Sequence, residues 1–203
     1  MIASRTALIQ RKTKETDISI KMTLDGKGTS EIKTGIGFFD HMLELFAYHA
    51  SFDLILECKG DLGVDFHHTV EDCGIVLGEA LNKSLGDKKG IARYGYCLLP
   101  MDETLVHSAI DISGRPYLCF RSPDHLPLVF LSAGNFQAQL LEEFLRGFVT
   151  HARLCLHIHI LESKETHHLI EGTFKALARA LKMAVCLDPA CIERIPSTKG
   201  TIG

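Results

Sequence analysis

Two short stretches decide the reading of this chain: His67-His68-Thr69-Val70-Glu71 and, one hundred positions later, His167-His168-Leu169-Ile170-Glu171. The same offset aligns Leu77 with Leu177, Ala80 with Ala180 and Leu81 with Leu181. Upstream, with a two-residue shift, Leu43, Phe46, His49, Ala50 and Leu54 align with Leu145, Phe148, His151, Ala152 and Leu156. Further up, Glu15-Thr16 and Gly26 align with Glu103-Thr104 and Gly114. Matching stretches in the same order point to internal duplication.

Each half then reads alike. Alternation over residues 17–24 and 105–112 predicts strands, ending at Asp25-Gly26 and at Ser113-Gly114-Arg115-Pro116. Apolar residues at helical spacing predict helices over 39–50 and 136–152. Short strands follow at 52–58 and 154–160, and helices open at the His-His pairs, over 67–85 and 167–186. The expected fold is α/β (α+β): a duplicated half-domain, each half a mixed sheet packed on helices. The halves are expected to form one compact unit, since each is small for an independent core. The expectation is a single domain over 1–203, with repeats at about 1–87 and 88–190 and a tail at 191–203. The solvated turn from Gly86 to Ile91 marks the boundary between repeats.

A chain of 203 residues with 46% apolar and 23% charged residues has an ordinary globular composition. A net charge of -3 gives no general attraction to polyanions, so neither nucleic acid nor membrane is an expected partner. No apolar run is long enough to span a bilayer, and residues 1–16 lack the apolar centre of a signal peptide. The seven cysteines include no C-x-x-C pair and sit mostly among apolar neighbours, which favours a reducing, cytoplasmic setting (plastid stroma for a plant chain freed of its leader).

Histidine is the unusual entry in the composition, at eleven residues. On a helix, the first His and the Glu of H-H-x-x-E are one turn apart and share a face. The second His points about 100° away and cannot easily join the same ion. The spacing therefore suggests crossed sites: His67 and Glu71 with His168, and His167 and Glu171 with His68. Imidazole with carboxylate suits Zn, Fe, Ni or Mn, and leaves open positions for catalysis. His49 and His151, equivalent in the repeats, read as packing positions. His107, His125 and His159 have no partner at useful spacing and read as ordinary strand or loop residues.

Thr34-Gly-Ile-Gly-Phe-Phe-Asp-His-Met-Leu43, Asp65-Phe-His-His-Thr-Val-Glu-Asp72, Met101-Asp-Glu, Asp111-Ile-Ser-Gly-Arg-Pro116, the stretch from His167 to Leu181, and Pro196-Ser-Thr-Lys-Gly200 together resemble the imidazoleglycerol-phosphate dehydratase family. The resemblance covers nearly the whole chain in the family's order. It implies a lyase of histidine biosynthesis that makes imidazole acetol phosphate, with two Mn(II) ions per active site. It further implies a fold like the second domain of ribosomal protein S5, and a 24-subunit homo-oligomer whose sites are shared between subunits. By this resemblance His41 completes the site of His68, His167 and Glu171, and His157 completes that of His67, Glu71 and His168. Glu15 is implied beside the substrate, and Arg93, Arg115, Ser197 and Lys199 at its phosphate. Arginine forks and a lysine charge suit that anion. Three positions depart from the family's pattern: Phe66, Glu165 and Gly172.

The implied reaction removes a hydroxyl and a proton from a non-acidic carbon, so the imidazole ring must relay electrons as an imidazolate bound by two Mn ions. Glu15, Glu171 and His41 are the implied catalytic groups, with Glu171 a poor base while it ligates metal. Two other readings of the same residues stay open: a dinuclear metallohydrolase, and a phosphate-binding assembly module whose metals only hold subunits together.

Overall fold

The computed structural model describes residues 4–202. Its first half runs β1 (Thr6–Lys12), β2 (Thr16–Thr23), β3 (Ser30–Lys33), α1 (Gly37–Ala50), β4 (Asp53–Gly60) and α2 (His67–Ser84). The second runs β5 (Tyr94–Met101), β6 (Thr104–Asp111), β7 (Tyr117–Arg121), the small hairpin β8 (Ser132–Ala133) and β9 (Phe136–Gln137), then α3 (Leu140–Ala152), β10 (Cys155–Glu162) and α4 (Thr166–Val185). The two four-stranded sheets have the orders β1-β2-β4-β3 and β5-β6-β10-β7, which is one topology built twice. Both sheets are mixed: β3 runs parallel to β4 and β7 parallel to β10, while the other pairs are antiparallel.

The expected mixed α+β fold is the one observed. The alternation that predicts β2 is its burial pattern: Ile18, Ile20 and Met22 face inward while Asp17 and Lys21 face out. In β10 the inward set is Leu156, Ile158 and Ile160. Helix α2 packs on β1 and β2, and α4 on β5 and β6. Across the middle, α2 packs on α3 and α1 on α4, so the helices lie between the two sheets and join the halves. Phe39 of α1, Phe144 of α3 and Phe174 of α4 meet there, with centroids 5.1 to 6.4 Å apart. Full burial of such a ring contributes about 1.5–3 kcal/mol.

Close packing of α2 on α3 depends on two glycines. A Cβ on Gly74 would collide with the carbonyl oxygen of Phe144, and one on Gly78 with that of Phe148. The two helices therefore run side by side in the same direction. One expected boundary is corrected: the helix predicted over 136–152 begins at Leu140. Phe136 has helical spacing to later apolar residues, but Gly134 at a φ of +60° turns the chain into the β8–β9 hairpin. There Phe136 is buried against Phe38 and Phe39.

Candidate metal centre

Helices α2 and α4 open on or beside their His-His pairs, so each half presents a His and a Glu on one helical face. Glu165 caps α4, its side chain accepting the backbone N–H of His168. That gives the unusual residue a structural use at its position. In the second half the face gains a third donor. His167 Nε2 lies 3.0 Å from Glu171 Oε2, and His41 Nε2, from the start of α1, lies 4.0 Å from the same oxygen. The donors of His41, His167 and Glu171 all lie within 4.8 Å of one another.

Glu171 is buried, and Lys175 Nζ stands 2.5 Å from its Oε1. Burial pushes its carboxyl up, but Lys175 and His167 outweigh that and hold it below the usual range. The group is therefore an anionic ligand fixed on one oxygen and open to the imidazoles on the other. Two imidazoles and a carboxylate at this separation fit a borderline or hard divalent ion.

The first half is looser. His67 Nε2 lies 3.7 Å from Glu71 Oε2, and both side chains are about 40% exposed. Alignment of the repeats sets Glu143 of α3 opposite His41, a signal already present in the sequence but not followed there. A Cβ on Gly147 would sit 2.9 Å from the Glu71 carbonyl oxygen. Because α3 runs with α2, Glu143 lies on the turn of α3 nearest the start of α2; among the described residues its carboxylate does not gather with His67 and Glu71, and Arg146 Nε stands 3.9 Å from its Oε2.

The second histidine of each pair is turned away and anchored. His68 Nδ1 lies 3.0 Å from Asp61 Oδ2, and its Nε2 lies 3.8 Å from Glu15 Oε1. His168 Nδ1 lies 3.1 Å from Glu103 Oε2. Each carboxylate accepts the Nδ1 proton, which fixes the tautomer and leaves Nε2 as the ligating atom. The Asp61 hydrogen bond pushes the His68 pKa up, and the Glu103 hydrogen bond does the same for His168. Glu15 and Glu103 are repeat partners, yet only Glu103 holds a Nδ1. In the first half Asp61 takes that place, and Glu15 is left on the Nε2 side.

The crossed sites do not close inside one chain. Among the described residues, His68 does not gather with His167 and Glu171, nor His168 with His67 and Glu71. The physical reason is the 100° helical offset, which turns each second histidine off the face of its own helix. His157 does not join His67 and Glu71 within the chain either. It alternates with the buried Leu156 and Ile158 on β10, so it projects from the outer face of the sheet, away from the helices. There it gathers with Cys119 and His159. His151 donates its Nδ1–H to the carbonyl of Gly147 at 2.9 Å, and His49 has its pKa lowered chiefly by burial, so both are half-buried on their helices.

The residues implied for phosphate lie elsewhere. Arg93 donates Nε to Asp111 at 2.7 Å and Nη1 to the carbonyl of Pro196 at 2.9 Å, which brings the Ser197 segment against the start of β5. Arg115 is exposed in the turn before β7, and the hydroxyl of Ser197 accepts the backbone N–H of Lys199. Register puts Tyr94, Asp111 and Cys155 together at one end of the second sheet, whereas α4 and His167 follow its other end. At about 3.3 Å per residue along β10, the two ends are roughly 23 Å apart.

Comparison with known proteins identifies the family. The family described as imidazoleglycerol-phosphate dehydratase matches residues 34–181. The imidazoleglycerol-phosphate dehydratase of Azorhizobium caulinodans is 53% identical over 199 residues, covering 98% of this chain and 99% of its own length. That of Cereibacter sphaeroides is 50% identical and covered in full. The crystal structure of the Staphylococcus aureus protein superposes with a TM-score of 0.80 at 42% identity, over 90% of this chain and 99% of that one. IGPD from Pyrococcus furiosus gives 0.80 at 35% identity, over 96% of this chain and all of that one. A duplicated fold carrying paired imidazole–carboxylate donors, matched along its whole length, leads to one assignment: the chain belongs to the imidazoleglycerol-phosphate dehydratase family.

Proposed function

We propose that this chain dehydrates imidazoleglycerol phosphate to imidazole acetol phosphate in histidine biosynthesis, using two manganese ions in each active site. The sites would be shared between subunits of a homo-oligomer, for which 24 copies is the expected number. The observation that carries the reading is the cluster of His41, His167 and Glu171, in a chain matched to dehydratases over 98% of its length. His41, His167 and Glu171 would hold one ion, with His68 from a neighbouring copy. His67 and Glu71 would hold the other, with His168 from a neighbour and with Glu143 of α3, in place of His157, as a further donor. The two repeats would work as a single domain in this.

Metal held by these imidazoles and carboxylates would supply Lewis acidity at the substrate's imidazole ring. The remaining work falls to side chains. Glu15 is half-exposed and faces only the His68 imidazole, 3.8 Å from its Oε1, so it would be the group to take up a proton from the substrate carbon and return it. Glu171 is held by Lys175 and two imidazoles, which suits a ligand better than a proton carrier. Arg115, Ser197 and Lys199 would bind the phosphate, while Arg93 fixes the tail that carries the last two and adds its remaining N–H groups. Gripping the phosphate at a distance from the reacting carbons orients the chain for elimination.

The test is turnover of imidazoleglycerol phosphate by the purified oligomer, with metal analysis before and after chelation. Activity should vanish with the metal and return with Mn(II). Glu171→Ala and His168→Ala should each cut turnover by several orders of magnitude and lower the bound metal. Full activity in either variant would falsify this site. Phosphate release in place of dehydration would favour the hydrolase reading.

A further inference from the structure

The sequence left His159 as an ordinary strand or loop residue and Cys119 as one of seven cysteines set mostly among apolar neighbours. The structure brings both beside His157, on the outer face of the second sheet, apart from the cluster of His41, His167 and Glu171. Strands β7 and β10 are parallel neighbours, and their register pairs Cys119 with His157 directly. His159 is two residues further along β10, on the same outward face. The Sγ of Cys119, and one ring nitrogen from each histidine, all lie within 4.8 Å of one another. Cys119 Sγ to His159 Nε2 is 3.7 Å.

That last separation is informative. Zinc bonds of about 2.3 Å to sulfur and about 2.05 Å to nitrogen, at the tetrahedral angle, set the two ligand atoms about 3.6 Å apart. The pair therefore already stands at the edge length of a tetrahedral site. The three side chains are half-buried and rise from a sheet whose central strand is hydrogen-bonded on both sides, so their positions are held by the backbone. The Tyr117 ring lies 5.6 Å from that of His157, and His107 lies 6.1 Å from His159, so the cluster is walled on two sides. A thiolate with two imidazoles is a softer set than the imidazole–carboxylate donors at the helix starts, and favours zinc over manganese.

We propose that Cys119, His157 and His159 form a second metal site, selective for zinc, that ties the edge strand β7 to β10. Binding takes the thiol proton of Cys119 to solvent as the sulfur–metal bond forms, and leaves one coordination position open. The three residues lie on the sheet face opposite the helices that carry His41, His167 and Glu171.

Cobalt(II) is the probe that separates the two sites. A thiolate gives cobalt an intense near-ultraviolet charge-transfer band, which imidazole and carboxylate ligands do not produce. The native oligomer titrated with Co(II) should develop this band to one equivalent per chain, and added Zn(II) should bleach it. Cys119→Ser and His159→Asn should each reduce it to baseline while the oligomer stays intact. Turnover with Mn(II) in Cys119→Ser should equal that of the native protein, so that the dehydratase reading and this one fail separately. A band absent from the native protein, or one that survives either substitution, overturns the proposal.

Discussion

His68 and His168 reach the same state by different routes. Asp61 holds one Nδ1 from the end of β4, and Glu103 holds the other from the turn between β5 and β6. Duplication alone would have made Glu15 the Nδ1 partner of His68; the exchange leaves Glu15 on the Nε2 side instead. Replacing either carboxylate by its amide should lower metal affinity about 10–100-fold through loss of tautomer control. Competition against a metal-binding dye would measure it, and unchanged affinity in both Asp61→Asn and Glu103→Gln would dismiss the role. The pH dependence has a definite sign. Both histidines have raised pKa values in the metal-free protein, so they stay protonated further up the pH scale. Metal must displace that proton, so affinity should climb as pH rises through the raised values. In the metal-free chain the same pairing stabilises the fold below the unfolded histidine pKa, and that contribution is lost as pH rises through the folded one. The amide variants should begin to bind metal at lower pH than the parent, although more weakly at the plateau.

Elements were legible in proportion to how much of their pattern is local. The helices α2 and α4 carry long apolar faces behind their His pairs, and their ends were read to within two residues. Strands β2, β4, β6 and β10 were legible because strict alternation marks a sheet with one buried face. The outer strands were not. β3 has a single apolar residue among four, and β5 carries Gly95 and Pro100, which edge strands tolerate. Only pairing with β4 and β6 gives them their conformation. Helix contacts were equally hidden, since no local pattern sets Gly74 and Gly78 apart in α2. Their use is the close approach of α3, and backbone carbonyls cannot move aside for a side chain. Gly78→Ala should therefore lower stability by about 1–2 kcal/mol, overpacking of up to about 3 kcal/mol outweighing a helix-propensity gain of about 1 kcal/mol. Thermal unfolding would report it, and a raised midpoint would refute the packing account. Gly172 is a contrast: a Cβ there meets only methyl groups of Thr104 and Val106, at 3.3 and 3.4 Å, where side chains rather than backbone must yield.

A whole chain holds the parts of an active site without assembling one. Its two His–Glu faces are separate, its second histidines turn outward from them, and Arg93 with the Ser197 segment lies at the far end of the second sheet. The sequence named candidate residues for the site but not this dispersal, because spacing along a chain says nothing of distances between copies. If each site takes the His67–His68–Glu71 end of one subunit and the His167–His168–Glu171 end of another, two inactive variants should rescue each other. His68→Ala spoils only the first kind of contribution and His168→Ala only the second. In oligomers assembled from an equal mixture, half the first ends and half the second ends are intact. They meet at random, so about a quarter of all sites are wholly native. Co-assembled His68→Ala and His168→Ala subunits should then show about a quarter of the parent activity, although each variant alone shows almost none. A site completed within one chain predicts no recovery at any ratio, since every chain in the mixture carries one defect. The recovery should also disappear when the two variants are assembled separately and then combined, because exchange between finished shells is what that control withholds. Activity restored by shared sites, and only on co-assembly, makes the homo-oligomer a condition of catalysis and not merely of stability.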